Sequence, residues 1–418
     1  MTAFALLALV LALLVLRQPL TVILISAIAY VHIFWGHGYL DYIVEDMWVS
    51  LNKELILAVP LFLLCGAVMT EGSAARRLVR IVRALTAPTR GGLGVAAIIS
   101  CAVFAAISGS SIVTMIAVGS VLYPAMKEAG YTNRFALGTV VSGGTLGIII
   151  PPSIPLILYG LVTETSIVDL FLAGVLPGLV LIVLMMTYAI WANRHRPAQK
   201  MDWAELGVAV KTGIWAALFP IILLGGIYSG YYSPTESAAV ALVYAVLIEF
   251  FIHREMTLRK YFNVVTETAK LGGALFPLIA VALSLNLILT EYRVPAQMVE
   301  LAGLYIDSPL AFILIVNLLL LAVGAFMTTN EAILILGPIL MPVALAYGFH
   351  PVHFGIIMIV NLEIGYLTPP VGMNLMVALV TFKQKFSEVV MSVLPYIAVM
   401  VIGLIIITAV PWLSLGLL

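Results

Sequence analysis

The chain alternates long apolar runs with short polar joints, and its most informative joint lies between residues 93 and 129. An apolar run from Leu93 to Ile107 meets Ser108-Gly109-Ser110-Ser111, and a second run from Ile112 to Met126 leads to Lys127. Each leg has roughly 15 residues, whereas crossing a hydrocarbon core about 30 Å thick takes about 20. Neither leg spans alone on that count. Arg90 and Lys127 mark both ends as lying on one face, because Lys and Arg concentrate on the cytoplasmic side. The pattern predicts a re-entrant helical hairpin with a small, hydroxyl-rich tip. Backbone that leaves a helix at that depth is tolerated only where it is buried in protein or lines a cavity. The plainer alternative is one long helix whose small residues pack on a neighbour.

The pattern occurs twice. A gap-free shift of 218 positions superposes Gly119 on Gly337, Leu122 on Leu340, Pro124 on Pro342, Gly130 on Gly348 and Gly147 on Gly365. Pro151-Pro152 falls on Pro369-Pro370, and Leu161-Val162-Thr163 on Leu379-Val380-Thr381. Gly and Pro fix backbone shape, so their shared spacing points to a duplicated structural unit. The second hairpin runs from Leu310 to Tyr347, with its tip at Thr328-Thr329-Asn330-Glu331.

In chain order, Met1 to Leu16 reads as a retained first helix starting outside, with Arg17 inside, and Leu20 to Trp35 as a second. Between Tyr39 and Asn52, Asp41, Glu45 and Asp46 alternate with Tyr42, Ile43, Trp48 and Leu51, the pattern of an interfacial helix on the outer face. After the span Leu55 to Thr70 come Arg76, Arg77, Arg80 and Arg83 among apolar residues, a basic segment suited to the anionic inner leaflet. Asn133 to Thr163 is a span broken by Gly143-Gly144-Thr145, Gly147 and Pro151-Pro152; Pro351 to Thr381 is its counterpart, broken at Gly365 and Pro369-Pro370. Leu170 to Trp191 returns inward to a hydrophilic stretch reaching Lys211, the expected longest loop. Ser233-Pro234-Thr235-Glu236 suits a helix start. Leu271 to Thr290 goes out, Arg293 to Asp307 reads as an outer loop, and Val389 to Trp412 is the last crossing.

On this topology all but Lys53 and Arg293 of the 20 Lys and Arg lie inside or at the inner boundary, and the two hairpins enter from opposite faces. The fold class is therefore an all-α polytopic membrane protein with an inverted repeat, two re-entrant helical hairpins and two interrupted transmembrane helices. The expected units are 1–92, N-terminal scaffold helices with interfacial arm helices; 93–168, transport-core repeat 1 (hairpin 93–129, broken span 133–163); and 169–308, scaffold and connecting spans. Repeat 2 occupies 309–382 (hairpin 310–347, broken span 351–381), and 383–418 is the C-terminal span.

Composition agrees with a membrane protein: 63% of residues are hydrophobic and 10% charged, and the net charge near zero leaves no nucleic-acid footprint. No phosphate-binding loop and no Cys/His metal spacing occur, so no cofactor is expected. Cys65 and Cys101 sit in apolar runs as packing residues.

Four elements converge near the midplane of such a repeat: the tips Ser108 to Ser111 and Thr328 to Glu331, and the breaks Gly144 to Pro152 and Glu363 to Pro370. Hydroxyls and unwound carbonyls suit a desolvated Na⁺, and half-helix N-termini suit an anionic group. A proton relay wants buried carboxylates or His; only Glu331 and Glu363 are expected deep, and all six His fall near span ends. Na⁺ is favoured, with Glu331 equally readable as a helix cap. A hydrolase using Ser110 or Ser111 lacks a nearby base, and a passive channel is the other rival reading.

Gly109-Ser110-Ser111, Pro124, Gly130-Tyr131 and Gly143 through Ser153 resemble the large membrane subunit of the TRAP (tripartite ATP-independent periplasmic) transporters. Ser233-Pro234-Thr235-Glu236 and Thr368-Pro369-Pro370-Val371-Gly372-Met373-Asn374 are similar to further motifs of that subunit, and the likeness runs end to end. The resemblance implies an elevator-type, Na⁺-coupled importer of an organic acid, such as a sialic acid or C4-dicarboxylate, in a bacterial inner membrane with its N-terminus periplasmic. It implies a small four-helix membrane subunit, here expected as a separate chain, and a periplasmic substrate-binding protein. A binding-protein-independent carrier of the same superfamily is the alternative. The Na⁺ contacts expected on this reading are Ser108, Gly109, Ser110, Ser111, Gly144, Thr145, Thr328, Thr329, Asn330, Glu331, Gly365 and Thr368. The solute contacts expected are Ser111, Pro151, Pro152, Ser153, Thr329, Pro369, Pro370 and Asn374.

Overall fold

A computed structural model of the chain describes residues 2–16, 18–35 and 41–418, and these are helical, with no strand among them. The chain opens with α1 (Thr2–Val15), α2 (Leu20–Phe34) and α3 (Asp41–Leu51), and a tight turn leads into α4 (Ala58–Glu71) and the arginine-rich α5 (Ala74–Thr86). Next, α6 (Gly92–Ser108) and α7 (Ser111–Glu128) are joined only by Gly109-Ser110. A segment in three pieces follows, α8 (Asn133–Gly144), α9 (Leu146–Ile149) and α10 (Ile154–Thr163), broken where Pro151-Pro152 removes backbone donors. Four long helices come next: α11 (Ile167–Ala192), α12 (Trp203–Tyr228), α13 (Pro234–Leu247) and α14 (Leu258–Glu291). The second half of the chain then holds α15 (Val294–Tyr305), α16 (Pro309–Gly324), α17 (Thr329–Ala346), α18 (Pro351–Gly365), α19 (Met373–Thr381), α20 (Phe386–Ala409) and α21 (Trp412–Leu415).

Among the described residues eight stretches are long and apolar enough to cross a membrane, or nine if α15 and α16, bent by 115°, count as one. The α8–α10 segment differs from the others: 94% of its apolar window is buried in protein, against 33–50% elsewhere. It forms the centre, and the remaining spans keep a free apolar face. Cys65 and Cys101 are buried and unpaired.

The sequence repeat is also a repeat of helices. Moved by 218 positions, α7 covers the bounds of α17, and α6, α8 and α10 fall on α16, α18 and α19 within a few residues. Pro151-Pro152 and Pro369-Pro370 are both cis, and Gly130 and Gly348 both take positive φ. The copies are not packed alike. In the first, α6 and α7 lie against each other along their length; in the second, α16 and α17 diverge, α16 packing on α18 and α17 on α10 and α15.

Several expectations need correction. The hairpin legs are helices of 16 to 18 residues, a little longer than the apolar counts; neither leg of the first is long and apolar enough to cross, but Thr329–Ala346 of the second is. The supposed loop up to Lys211 ends at residue 202, where Asp202 accepts from the Ala204 and Glu205 amides and starts α12. The outgoing helix begins at Leu258 rather than Leu271, its start capped by Thr257. Residues 294–305 form α15, which buries none of its residues, instead of a loop. Arg17, Tyr39 and Leu40 lie outside the described residues, while α3 docks on α14 through Ile43, Met47 and Leu51 and exposes Val44 and Trp48.

The basic segment is also packed into the protein. α5 packs between α12 and the α6–α7 pair, with Leu78, Val79 and Val82 buried. Three of its four arginines meet protein carboxylates: Arg76 and Arg77 pair with Glu255, and Arg80 with Glu205. Its N-terminus is held by Glu249, which is fully buried like Glu363, whereas Glu331, also expected deep, is only half-buried. Glu249 accepts from the Ser73 and Ala74 amides at 3.1 Å each and contacts His253 at 3.1 Å. A buried carboxylate aimed at free helix amides is stabilised by the helix dipole, and Gly72 leaves the room it needs.

Candidate functional site

The first tip is built by capping. Gly109 ends α6 in the left-handed region (φ 57°), and a Cβ there would meet the Pro152 carbonyl at 3.1 Å. Ser110 is extended and its hydroxyl accepts from the Val113 amide, starting α7. Ser108 and Thr114 share a buried hydroxyl contact of 2.6 Å, so the tip is closed on itself by side chains. The broken span approaches with no side chain between: a Cβ on Gly147 would strike the Ser110 carbonyl and lie 2.6 Å from Thr114 Oγ1, and one on Gly144 would lie 3.0 Å from the Ser111 carbonyl. The second copy repeats the device, a Cβ on Gly365 lying 2.6 Å from Gly324 Cα.

The second tip starts α17 with a capping box: Thr328 accepts from the Glu331 amide, and the Glu331 carboxylate accepts from the Thr328 amide at 3.0 Å. That leaves Thr329 to point inward, where its hydroxyl donates to Glu363 Oε1 at 2.9 Å. Ser111, the position equivalent to Thr329 in the other copy, also faces the Glu363 carboxylate and accepts from Asn374 Nδ2 at 2.6 Å. The two tips and the second broken span thus meet at Ser111, Thr329, Glu363 and Asn374, each 0–1% exposed. Glu363 Oε2 and Asn374 Oδ1 are buried there without a hydrogen-bond partner among the described residues. A carboxylate so placed needs a cation or a proton to offset its desolvation.

The other residues singled out from the sequence stand around this junction at different distances from its chemistry. Pro151, Pro152 and Ser153 are buried beside the first tip, with Ser153 capping α10. Thr145 donates to the Ser142 carbonyl at 2.6 Å and lies on Met400, away from the tips, and Thr368 donates to the Ile364 carbonyl of its own helix. Asn330 is half-buried on the first turn of α17, and Pro369 and Pro370 are exposed, unlike their counterparts. Sequence reasoning left Glu363 and Thr114 out of the candidate contacts. The repeat carried the signal for the first, since Glu363 falls on Thr145 under the 218-residue shift.

A largely apolar helical bundle built from two copies of one unit, with its buried polar groups at the junction, has the fold of a membrane transporter. It superposes on the YdaH transporter of Alcanivorax borkumensis with a TM-score of 0.64 at 14% identity, over 92% of this chain and 90% of that one. Residues 7–413 match the family of the DctM component of the tripartite ATP-independent periplasmic transporters. The chain is 43% identical to the C4-dicarboxylate TRAP transporter large permease of Pseudomonas aeruginosa, over 87% of this chain and 86% of that one. It is 33% identical to the ectoine TRAP transporter large permease of Halomonas elongata, over 98% and 97%. The chain belongs to this family of TRAP transporter large permeases, which are multi-pass membrane transporters.

Proposed function

We propose that the protein is the Na⁺-coupled import pathway of a TRAP transporter, carrying an organic acid across a bacterial inner membrane. The observation that carries this is the Glu363 carboxylate at the junction of the two repeats, with Oε2 free, the hydroxyls of Thr329 and Ser111 facing it and Asn374 bonded to Ser111. One carboxylate among neutral oxygens suits a monovalent hard cation, and the half-helix N-termini at Ser111 and Thr329 bring positive potential for a solute carboxylate beside it. The neighbouring Gly109, Gly144 and Gly365, with Ser108, Ser110, Thr145, Thr328, Asn330, Glu331 and Thr368, would shape the ion sites, and Pro151, Pro152, Ser153, Pro369 and Pro370 the solute pocket.

On this reading residues 93–168 and 309–382 form a transport core of two re-entrant hairpins and two broken spans. The core slides as one body through a scaffold of the remaining helices. The unequal copies support it: the first hairpin is closed and buried, and the second is splayed with Pro369 and Pro370 exposed, as expected of an alternating-access carrier in one of its states. The cation distribution puts the N-terminus outside. A relative in Vibrio cholerae carries the name of a C4-dicarboxylate transporter and one in Oleidesulfovibrio alaskensis that of an isethionate transporter. We extend to this chain a small acid as solute, a periplasmic protein that delivers it, and a small membrane subunit. A second reading, proton coupling through Glu363, rests on the same free oxygen. Uptake into proteoliposomes under a Na⁺ gradient or a pH gradient alone separates the two, and uptake driven by the pH gradient alone would replace Na⁺ with H⁺.

A further inference from the structure

A cavity of about 800 Å³ lies at the cation-rich end of the molecule, remote from the junction just described. It reaches Gly92 and Leu93 at the start of α6, 15 or more residues along that helix from Ser108, so its inner edge is about 20 Å from the tip at the α-helical rise. Its two walls differ. One is the base of the α6–α7 pair, presenting Gly92, Leu93, Val121, Ala125 and Ala129; the other, from α5 and the 194–202 connection, supplies Arg76, Arg80, Arg83, Arg196 and Lys200.

The connection is anchored on both sides of the cavity. Arg196 lies 3.9 Å over the Tyr131 ring and donates to the Ala129 and Gly130 carbonyls, while the Gln199 amide donates to the Ala87 carbonyl at 3.1 Å. Lys200 is held next to that second anchor. Of the five cations, Arg76 and Arg80 have carboxylate partners, and Arg196 is spent on carbonyls and the ring. Arg83 and Lys200 have no acid within ion-pair distance among the described residues; Arg83 feels Glu205 only at longer range. The lining acids compete little: Asp202 caps α12, Glu205 is paired with Arg80, and Glu128 stands on the opposite wall.

We propose that this cavity is a second anion site, holding a carboxylate or phosphate oxyanion between Arg83 and Lys200. A concavity lined by one sign of charge focuses its potential and concentrates counter-ions, and the volume falls in the range of small-molecule sites. Excess Lys and Arg mark this end as cytoplasmic, so the ligand comes from inside the cell or from the headgroups of the inner leaflet.

The test titrates the full chain in phosphatidylcholine nanodiscs with citrate, and separately with inorganic phosphate, in Na⁺-free potassium buffer at fixed ionic strength, read by calorimetry. Saturable binding should weaken about five- to tenfold in R83Q/K200Q, the loss of two partly solvated charge contacts, and should return in R83K/K200R. Ala125→Phe on the opposite wall should weaken it without touching a cation, which guards against a folding defect in the charge variant. If phosphatidylglycerol in the nanodisc abolishes citrate binding, the natural occupant is a headgroup; if binding persists, it is a soluble anion. No saturable binding in the parent protein, or equal binding in R83Q/K200Q, overturns the proposal.

Discussion

Asn374 donates its Nδ2 to the Ser111 hydroxyl at 2.6 Å, joining two residues 263 positions apart. One starts α7 in the first copy of the repeat and the other lies in the first turn of α19 in the second, so the bond ties the copies together at the buried junction. Asn374→Ala leaves Ser111 without its donor, and Ser111→Ala leaves the amide without an acceptor. Each should cost about 1–3 kcal/mol, the penalty for an orphaned buried polar group. The double variant should cost less than the sum. Thermal unfolding of the four proteins in detergent measures this, and strict additivity would mean the bond carries no coupling.

Glu249 should matter for stability rather than for ion coupling. It caps α5 through the Ser73 and Ala74 amides and lies far from the tips in sequence and in contacts. Glu249→Ala should destabilise by about 3 kcal/mol, the cost of removing one member of a buried charged network, and should raise hydrogen exchange at the start of α5. The Na⁺ concentration for half-maximal uptake should stay unchanged.

Asp46 gives a pH dependence at the opposite end. Burial on α14 pushes its carboxyl above the ordinary value; His32 opposes this, and Glu291 and Glu45 reinforce it. An acid whose folded value is raised is penalised once it ionises, so docking of α3 is tightest below the ordinary Asp range and loosens as pH rises through the elevated value. Iodide quenching of Trp48, which is 73% exposed, should change over that window, and Asp46→Asn should flatten the response.

The helices and the duplication were legible because Gly and Pro act locally: Pro151-Pro152 and Pro369-Pro370 break helices whatever surrounds them. Tertiary pairing was not. The arginines of α5 looked like a lipid-facing stripe, since Glu205, Glu249 and Glu255 lie more than 120 residues away. The sequence makes Glu331 and Glu363 look equally deep, yet the structure separates them, leaving Glu331 half-buried in its own helix cap and giving Glu363 to Thr329. Capping is a short-range pattern; which side chain meets Ser111 depends on how the two copies pack.

The charge bias predicts that the two repeats have inverted topology. With Cys65 and Cys101 removed, single cysteines at Lys200 and Asp307 should react with an impermeant thiol reagent from opposite faces of the membrane. Labelling of both from one side would overturn the inverted topology.

Sodium coupling through the junction is the central claim, and it is tested most directly by uptake. The protein is reconstituted with its small subunit and given the periplasmic protein loaded with its solute, under an inward Na⁺ gradient. Uptake should require both the gradient and the loaded protein. Thr329→Val, which strips Glu363 of its hydroxyl donor, should raise the half-saturating Na⁺ concentration about tenfold, equivalent to one lost charge-assisted hydrogen bond. Uptake driven equally well by a K⁺ gradient, or a Thr329→Val protein with an unchanged Na⁺ requirement, would contradict the account.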